Sequence, residues 1–228
     1  MSIKETLVVL DFDGLLINSY DLLKRTFNHF GLDVGDEERF QNRKKFLKYI
    51  GGGKEFVNNL VNLSLPKKKL IRKQLTETYC KEGQIYPEFT GLINDMIDNP
   101  AVHIGIVSRN FTHHPGNTIR QVLKNSKITE TALDFIIPIS VGVKKLNVLE
   151  GMKASCYKNC IFAADEISDY RAAYETGYNT ILMASYGFDT KERLINKGKI
   201  PEKIIFDSPK KLAKKLNKTL LTKLNQFV

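Results

Sequence analysis

Two aspartates one residue apart, Asp11 and Asp13, follow the apolar run Leu7-Val8-Val9-Leu10 and precede Gly14. Carboxylates this close repel each other unless a cation or a shared proton joins them. Farther along, Ser108 closes the stretch Ile104-Gly105-Ile106-Val107, and Asp165 closes Cys160-Ile161-Phe162-Ala163-Ala164. Asp169 follows Asp165 by one helical turn, and Val143-Lys144-Lys145-Leu146 places two lysines between these segments. Chemically this is an oxygen-rich site for a hard cation with a fixed positive charge beside it. Mg²⁺ prefers carboxylates and waters in octahedral geometry and commonly bridges to a substrate phosphate. A hydroxyl and an ammonium are natural partners for phosphate oxygens. The combination fits phosphoryl transfer, where catalysis is mostly positioning and charge neutralisation. The competing reading of Asp11-Phe12-Asp13-Gly14 is an ordinary strand and turn, since Asp and Gly favour turns. A short motif is therefore only as good as its context.

That context is the set of elements that must hold these residues. Leu7–Leu10 reads as a strand buried on both faces. Asn18 or Ser19 can cap a helix carrying Leu22, Leu23, Phe27 and Phe30, ended by Gly31. From Ser19 to Ile85 successive helices are predicted, interrupted at Gly51-Gly52-Gly53 and restarted at Lys54 and Pro66. After a helix ending near Ile97, strands and helices alternate. Strands are predicted over Val102–Val107, Asp134–Ile139, Cys160–Asp165, Asn179–Met183 and Ile204–Phe206, with helices between them. Such alternation means βαβ units and a mainly parallel sheet. The expected fold is therefore α/β, a doubly wound, Rossmann-like core formed by residues 1–17 and 86–228, with an inserted all-helical cap over residues 18–85. In an open sheet of this kind ligands sit outside the carboxyl ends of the strands, where Asp11, Asp13, Ser108 and Asp165 all fall.

The 228 residues are 42% hydrophobic, enough for a sizeable core and too many for a disordered chain. No apolar stretch is long enough to span a bilayer, and the short apolar run before Asp11 is no signal peptide; no membrane and a cytoplasmic location are expected. Cys80, Cys156 and Cys160 form neither a disulfide framework nor a paired metal motif and are expected to be reduced. The net charge of +10 raises the question of a polyanionic partner. Its lysines are spread over several helices with no nucleic-acid motif beside them, so solvated helix faces are expected rather than a nucleic-acid partner. The tail helix with Leu212, Leu216, Leu220 and Leu221 is expected to dock on the core. A monomer or a homodimer is expected.

In this order, the segments resemble the haloacid-dehalogenase superfamily, in its phosphoglycolate-phosphatase-like branch. Asp-Phe-Asp-Gly at 11–14 matches the first family motif, Ile104-Gly105-Ile106-Val107-Ser108 the second, Lys144 or Lys145 the third, and Ala163-Ala164-Asp165-Glu166-Ile167-Ser168-Asp169 the fourth. The resemblance implies a Mg²⁺-dependent phosphatase acting on a small phosphorylated metabolite. It implies Asp11 as the nucleophile that forms an aspartyl-phosphate. Asp13 would be the general acid and then base, work typically worth about 10²–10⁴-fold. The carboxylates of Asp11 and Asp165 and the backbone carbonyl of Asp13 would ligate the ion, with Asp169 helping directly or through water. Ser108 would bond the phosphoryl group and a lysine would neutralise it. Lys145 is favoured because Leu146 and Leu149 begin the helix directly after it; Lys144 stays open.

Substrate contacts are expected from Arg109, Asn110 and Lys144 beside the motifs and from Gly52 and Lys54 in the cap loop. A glycine run lets backbone approach a ligand closely, and Lys54 could meet a second anionic group. The alternative for Lys54 is a helix break and a solvated lysine. His113 and His114 are read as pocket-lining or surface residues, since two histidines do not make a metal site. The chain departs from the family pattern at Leu15 (usually Thr), Asn18 (commonly Asp), Ala164 (usually Gly) and the extra carboxylate Glu166. A phosphosugar mutase would use the same core, returning the phosphoryl group to substrate instead of water. A phosphonatase would need a Schiff-base lysine, for which Lys54 is open. A hydrolytic dehalogenase is disfavoured because it lacks the acid at the position of Asp13. A non-catalytic basic binding module is the reading from a different class, and the retained motif residues argue against it.

Overall fold

The computed structural model describes residues 6–31, 68–140, 142–153 and 157–224. Most of the expected cap, including Gly52 and Lys54, lies outside the described residues. Strand β1 (Thr6–Leu10) is buried along its whole length. Its alternating side chains feed two separate cores, Val8 and Leu10 on one face and Leu7 and Val9 on the other. A strand with apolar residues at every position can only sit at the centre of a sheet covered on both sides.

The chain then forms helices α1 (Ser19–His29) and α2 (Lys68–Glu82), which pack on each other, and α3 (Pro87–Ile97). Alternation follows: β2 (Val102–Ser108), α4 (Pro115–Asn125), β3 (Phe135–Pro138), α5 (Lys145–Lys153), β4 (Asn159–Ala164), α6 (Ile167–Glu175), β5 (Thr180–Ala184), α7 (Lys191–Asn196), β6 (Ile205–Phe206) and α8 (Pro209–Leu224). Among the described residues the six strands form one sheet of order β3-β2-β1-β4-β5-β6. Every neighbouring pair is parallel. Helices α3, α4 and α8 cover one face with Phe89, Ile93, Ile119, Val122, Leu212 and Leu216. Helices α5, α6 and α7 cover the other with Leu149, Ala173 and Leu194. This is the doubly wound α/β core expected from the alternation.

Three strands start one residue later than predicted, at Phe135, Thr180 and Ile205, whereas two helices start ahead of their apolar stripes. Helices α3 and α4 begin at Pro87 and Pro115, where proline suits the first turn because its missing N–H would be unpaired there anyway. Asn18 caps α1 by accepting from the Asp21 N–H at 3.2 Å, and Gly31 ends it at φ 71°. Helix α8 docks its Leu212, Leu216 and Leu220 on the core and leaves Leu221 exposed. Cys160 is buried and Cys80 half-buried, and neither forms a disulfide among the described residues. No helix among the described residues is long and apolar enough to cross a membrane.

Strand order reverses at the β1–β4 pair: β2 and β3 lie to one side, β5 and β6 to the other. At such a switch point the loops leaving the two strands diverge and open a crevice at their carboxyl ends. Leu10 pairs with Ala163, so Asp11 and Asp165 leave the sheet side by side.

Candidate active site

Asp11 is the first residue beyond β1, and its N–H still donates to the Ala163 carbonyl at 2.9 Å. Its Oδ1 accepts from the Phe12 N–H at 2.8 Å, which leaves Oδ2 for a partner across the crevice. That partner is Lys145. Its Nζ lies 2.9 Å from Asp11 Oδ2 and 2.6 Å from Asp169 Oδ2, and the side chain is 7% exposed. Asp169 stands in the first turn of α6, and Asp165 on the link from β4 to that helix. Oxygens of Asp11, Asp165 and Asp169 all lie within 4.8 Å of one another, and all three residues are buried.

Crowding sets the electrostatics. Burial pushes the carboxyls of Asp165 and Asp169 well above the usual range; the Asp11 charge adds to this, and at Asp169 the Lys145 ammonium opposes it without prevailing. Burial also works against the charged form of Asp11, but the Lys145 charge and hydrogen bonding outweigh it and leave that carboxyl lowered. Lys145 is itself raised: its two aspartates overcome the cost of burying an ammonium. Asp165 takes the Phe188 N–H on Oδ2 at 2.6 Å, while its buried Oδ1 has no hydrogen-bond partner among the described residues. A buried carboxylate oxygen without a donor is costly unless something positive meets it. Three converging carboxylates with such an atom fit a hard, oxygen-seeking cation such as Mg²⁺.

Asp13 belongs to the same mouth but faces other groups. Its Oδ1 accepts from Ser19 Oγ at 2.7 Å and from the Tyr79 hydroxyl at 2.6 Å, and its Oδ2 from Asn110 Nδ2 at 2.9 Å. Burial raises its pKa to about 6 against the pull of these three donors. The backbone makes this separation through Gly14 at φ 78°, where an added Cβ would stand 2.2 Å from Asp165 Oδ2. Gly187 closes the other side: a Cβ there would come within 2.3 Å of Asp165 Oδ2 and 2.6 Å of the Gly14 carbonyl oxygen. Two strands of loop thus pass over Asp165 with no room for a side chain on either.

The remaining candidates divide. Ser108 ends β2, is 1% exposed, and stands near enough to Asp11 to favour its charged form, yet its Oγ completes no well-formed hydrogen bond among the described residues. Asn110 is buried against Asp13 and also accepts from the Thr112 N–H at 3.0 Å. Arg109 is exposed and braces the loop ahead of α5, donating to the Val143 carbonyl at 2.8 Å. Lys144 is exposed, whereas Lys145 enters the cluster. Glu166 is half-buried, accepts from Ser168 Oγ at 3.0 Å, and adds negative charge near Asp165 and Asp169. His113 and His114 are exposed and lie against each other. Leu15 is fully buried in the core.

Ser19, Tyr79 and Gly187 belong to this site and were not singled out for it by the sequence pattern. Tyr79 continues the stripe Ile71, Leu75, Tyr79 on α2, and a phenol on a buried stripe needs a partner for its hydroxyl. That was the one available signal.

No protein-family model matches the chain, and no curated protein sequence matches it. Solved structures do. A predicted phosphatase from Clostridium acetobutylicum superposes with a TM-score of 0.60 at 19% identity, covering 95% of this chain and 100% of that one. A haloacid dehalogenase-like family hydrolase from Streptococcus pneumoniae gives 0.59 at 18% identity, covering 93% and 99%. CbbY from Rhodobacter sphaeroides, solved in complex with phosphate, gives 0.57 at 18% identity over 92% and 96%. The chain therefore has the fold of haloacid-dehalogenase-like proteins.

Proposed function

We propose that this chain is a Mg²⁺-dependent phosphomonoesterase that hydrolyses a small phosphorylated metabolite through an aspartyl-phosphate on Asp11. The observation that carries the reading is the buried Asp11–Asp165–Asp169 cluster with Lys145 upon it, at the switch point of the sheet. The predicted phosphatase among the similar folds and the phosphate complex of another support the same direction.

The carboxylates of Asp11, Asp165 and Asp169, with the Asp13 backbone carbonyl, would hold the ion. Bound there, it would offset their charge and withdraw electron density from the phosphoryl group. An Asp11 oxygen attacks phosphorus; the new O–P bond forms as the bond to the leaving oxygen breaks. Asp13 gives its proton to that oxygen, so the product departs as a neutral alcohol. Water then attacks phosphorus, Asp13 takes a proton from it, and the Asp11 O–P bond breaks to release inorganic phosphate. A carboxyl held near pKa 6 is suited to both transfers around neutral pH. Lys145 supplies fixed positive charge for the phosphoryl oxygens, and Ser108 Oγ has donor capacity for one of them. Asn110 steadies Asp13. Lys144, Gly52 and Lys54 are left to contacts with the rest of the substrate.

The test is phosphate release from a panel of sugar phosphates, nucleotides, phosphoglycolate and phosphoamino acids. Hydrolysis of at least one ester is expected, lost with a chelator and restored by added Mg²⁺. A folded protein that releases phosphate from none contradicts the reading. Phosphoryl transfer to a second sugar without free phosphate would replace it with a mutase.

A further inference from the structure

Tyr79 lies 66 positions from Asp13 in sequence, yet its hydroxyl makes the shortest of the three hydrogen bonds to that carboxyl, 2.6 Å against 2.7 and 2.9 Å. It arrives on α2, the helix that follows residues 32–67, and α2 is fastened to the loop after β2. Arg72 donates to the Phe111 and Thr112 carbonyls at 3.1 and 3.2 Å, and Thr76 Oγ1 accepts the His113 N–H at 2.8 Å. The same loop holds Asn110, whose amide meets the other Asp13 oxygen. Both oxygens of Asp13 are thus tied to the two segments that clasp each other above it. The Tyr79 ring is 3% exposed, so the hydroxyl has little freedom. Burial and the neighbouring Asp13 charge push the phenol well above its ordinary pKa, so it stays a donor.

We propose that Tyr79 is a positioning residue for Asp13: its hydroxyl, delivered by α2, fixes the carboxyl that protonates the leaving oxygen. This rests on the phosphatase reading above. A donor on Oδ1 sets the rotation of the carboxyl and leaves its proton-bearing edge in one place. Without it, Ser19 and Asn110 alone must hold a side chain that sits just before a sharp glycine turn. A misplaced general acid delays departure of a poor leaving group and matters little for a good one. Leaving-group dependence therefore separates positioning from general damage to the fold.

The experiment compares kcat/KM of wild type and Tyr79→Phe on the best alkyl phosphoester of the panel and on p-nitrophenyl phosphate, whose phenolate departs without a proton. Expected is a loss of about tenfold on the alkyl ester and less than about threefold on the aryl ester. Ser19→Ala removes the other hydroxyl from the same oxygen and should show the same split; it decides the matter should Tyr79→Phe fold poorly. Equal losses on the two esters, or no loss on either, overturn the proposal. A wild type inactive on both contradicts the phosphatase reading itself.

Discussion

Asp11→Asn is expected to remove phosphate release almost entirely, by at least about 10⁴-fold, while the protein stays folded. The substitution keeps the shape of the side chain and its bond from the Phe12 N–H, but an amide is no nucleophile toward phosphorus. It also removes one negative charge from a cluster whose oxygens lie within 4.8 Å of one another. Relief of that repulsion is set against loss of the buried ion pair with Lys145, which favours the folded state, so the metal-free variant should melt at or somewhat below wild type. The ion-linked gain should shrink at the same time. Any ligand that binds only the folded state stabilises it by RT ln(1 + [L]/Kd), about 2.7 kcal/mol at a hundredfold excess over Kd. Wild type should therefore melt higher with Mg²⁺, and Asp11→Asn much less so. Differential scanning calorimetry with and without the ion reads both effects.

Lys145→Met should cost considerably more stability. The lysine is the cation that the structure places among Asp11 and Asp169, at 2.9 and 2.6 Å. Removing one partner of a buried ion pair leaves the other uncompensated and typically costs about 3–5 kcal/mol. Here two aspartates lose their partner at once, and Asp165 already has an unpaired oxygen. Denaturant unfolding of the metal-free variant should show that loss, with part of it regained when Mg²⁺ is added. Turnover should fall by about 10²–10³-fold, as for loss of one oxyanion-stabilising donor. Lys145→Arg should not restore it, because the planar guanidinium cannot occupy the point between two carboxylates that a compact ammonium fills. Normal stability of the metal-free Met variant would contradict the placement of this lysine.

Much of this could be read from residues near each other in sequence. The buried run Leu7–Leu10 ending in Asp11 dictated a central strand with acids at its mouth, and the strand–helix alternation dictated where Ser108 and Asp165 would emerge. The two lysines were harder. Neighbouring residues at a helix start differ in direction by about 100°, so only one can enter the crevice. Lys145 is buried and Lys144 exposed, as Leu146 and Leu149 weakly favoured. Tyr79 was legible only as part of an apolar stripe. Its contact with Asp13 depends on how α2 docks over the loop after β2, which local periodicity does not encode. Gly187 was hidden for a related reason: its lack of a side chain matters only because the β5–α7 loop folds back onto Asp165. Arg109, expected at the substrate, donates to the Val143 carbonyl ahead of Lys145, a loop contact that its place beside the motif does not reveal. A charged residue beside a motif can serve the loop as readily as the ligand.

Formation of a covalent bond between Asp11 and phosphorus is the central claim, and reductive trapping reads it directly. Borohydride converts an aspartyl-phosphate to homoserine, so protein quenched during turnover of its best ester should carry that mass change at residue 11. Asp11→Asn under the same conditions should carry none. Sustained phosphate release by wild type with Asp11 unmodified at every quench time would contradict the aspartyl-phosphate and assign hydrolysis to direct attack by water.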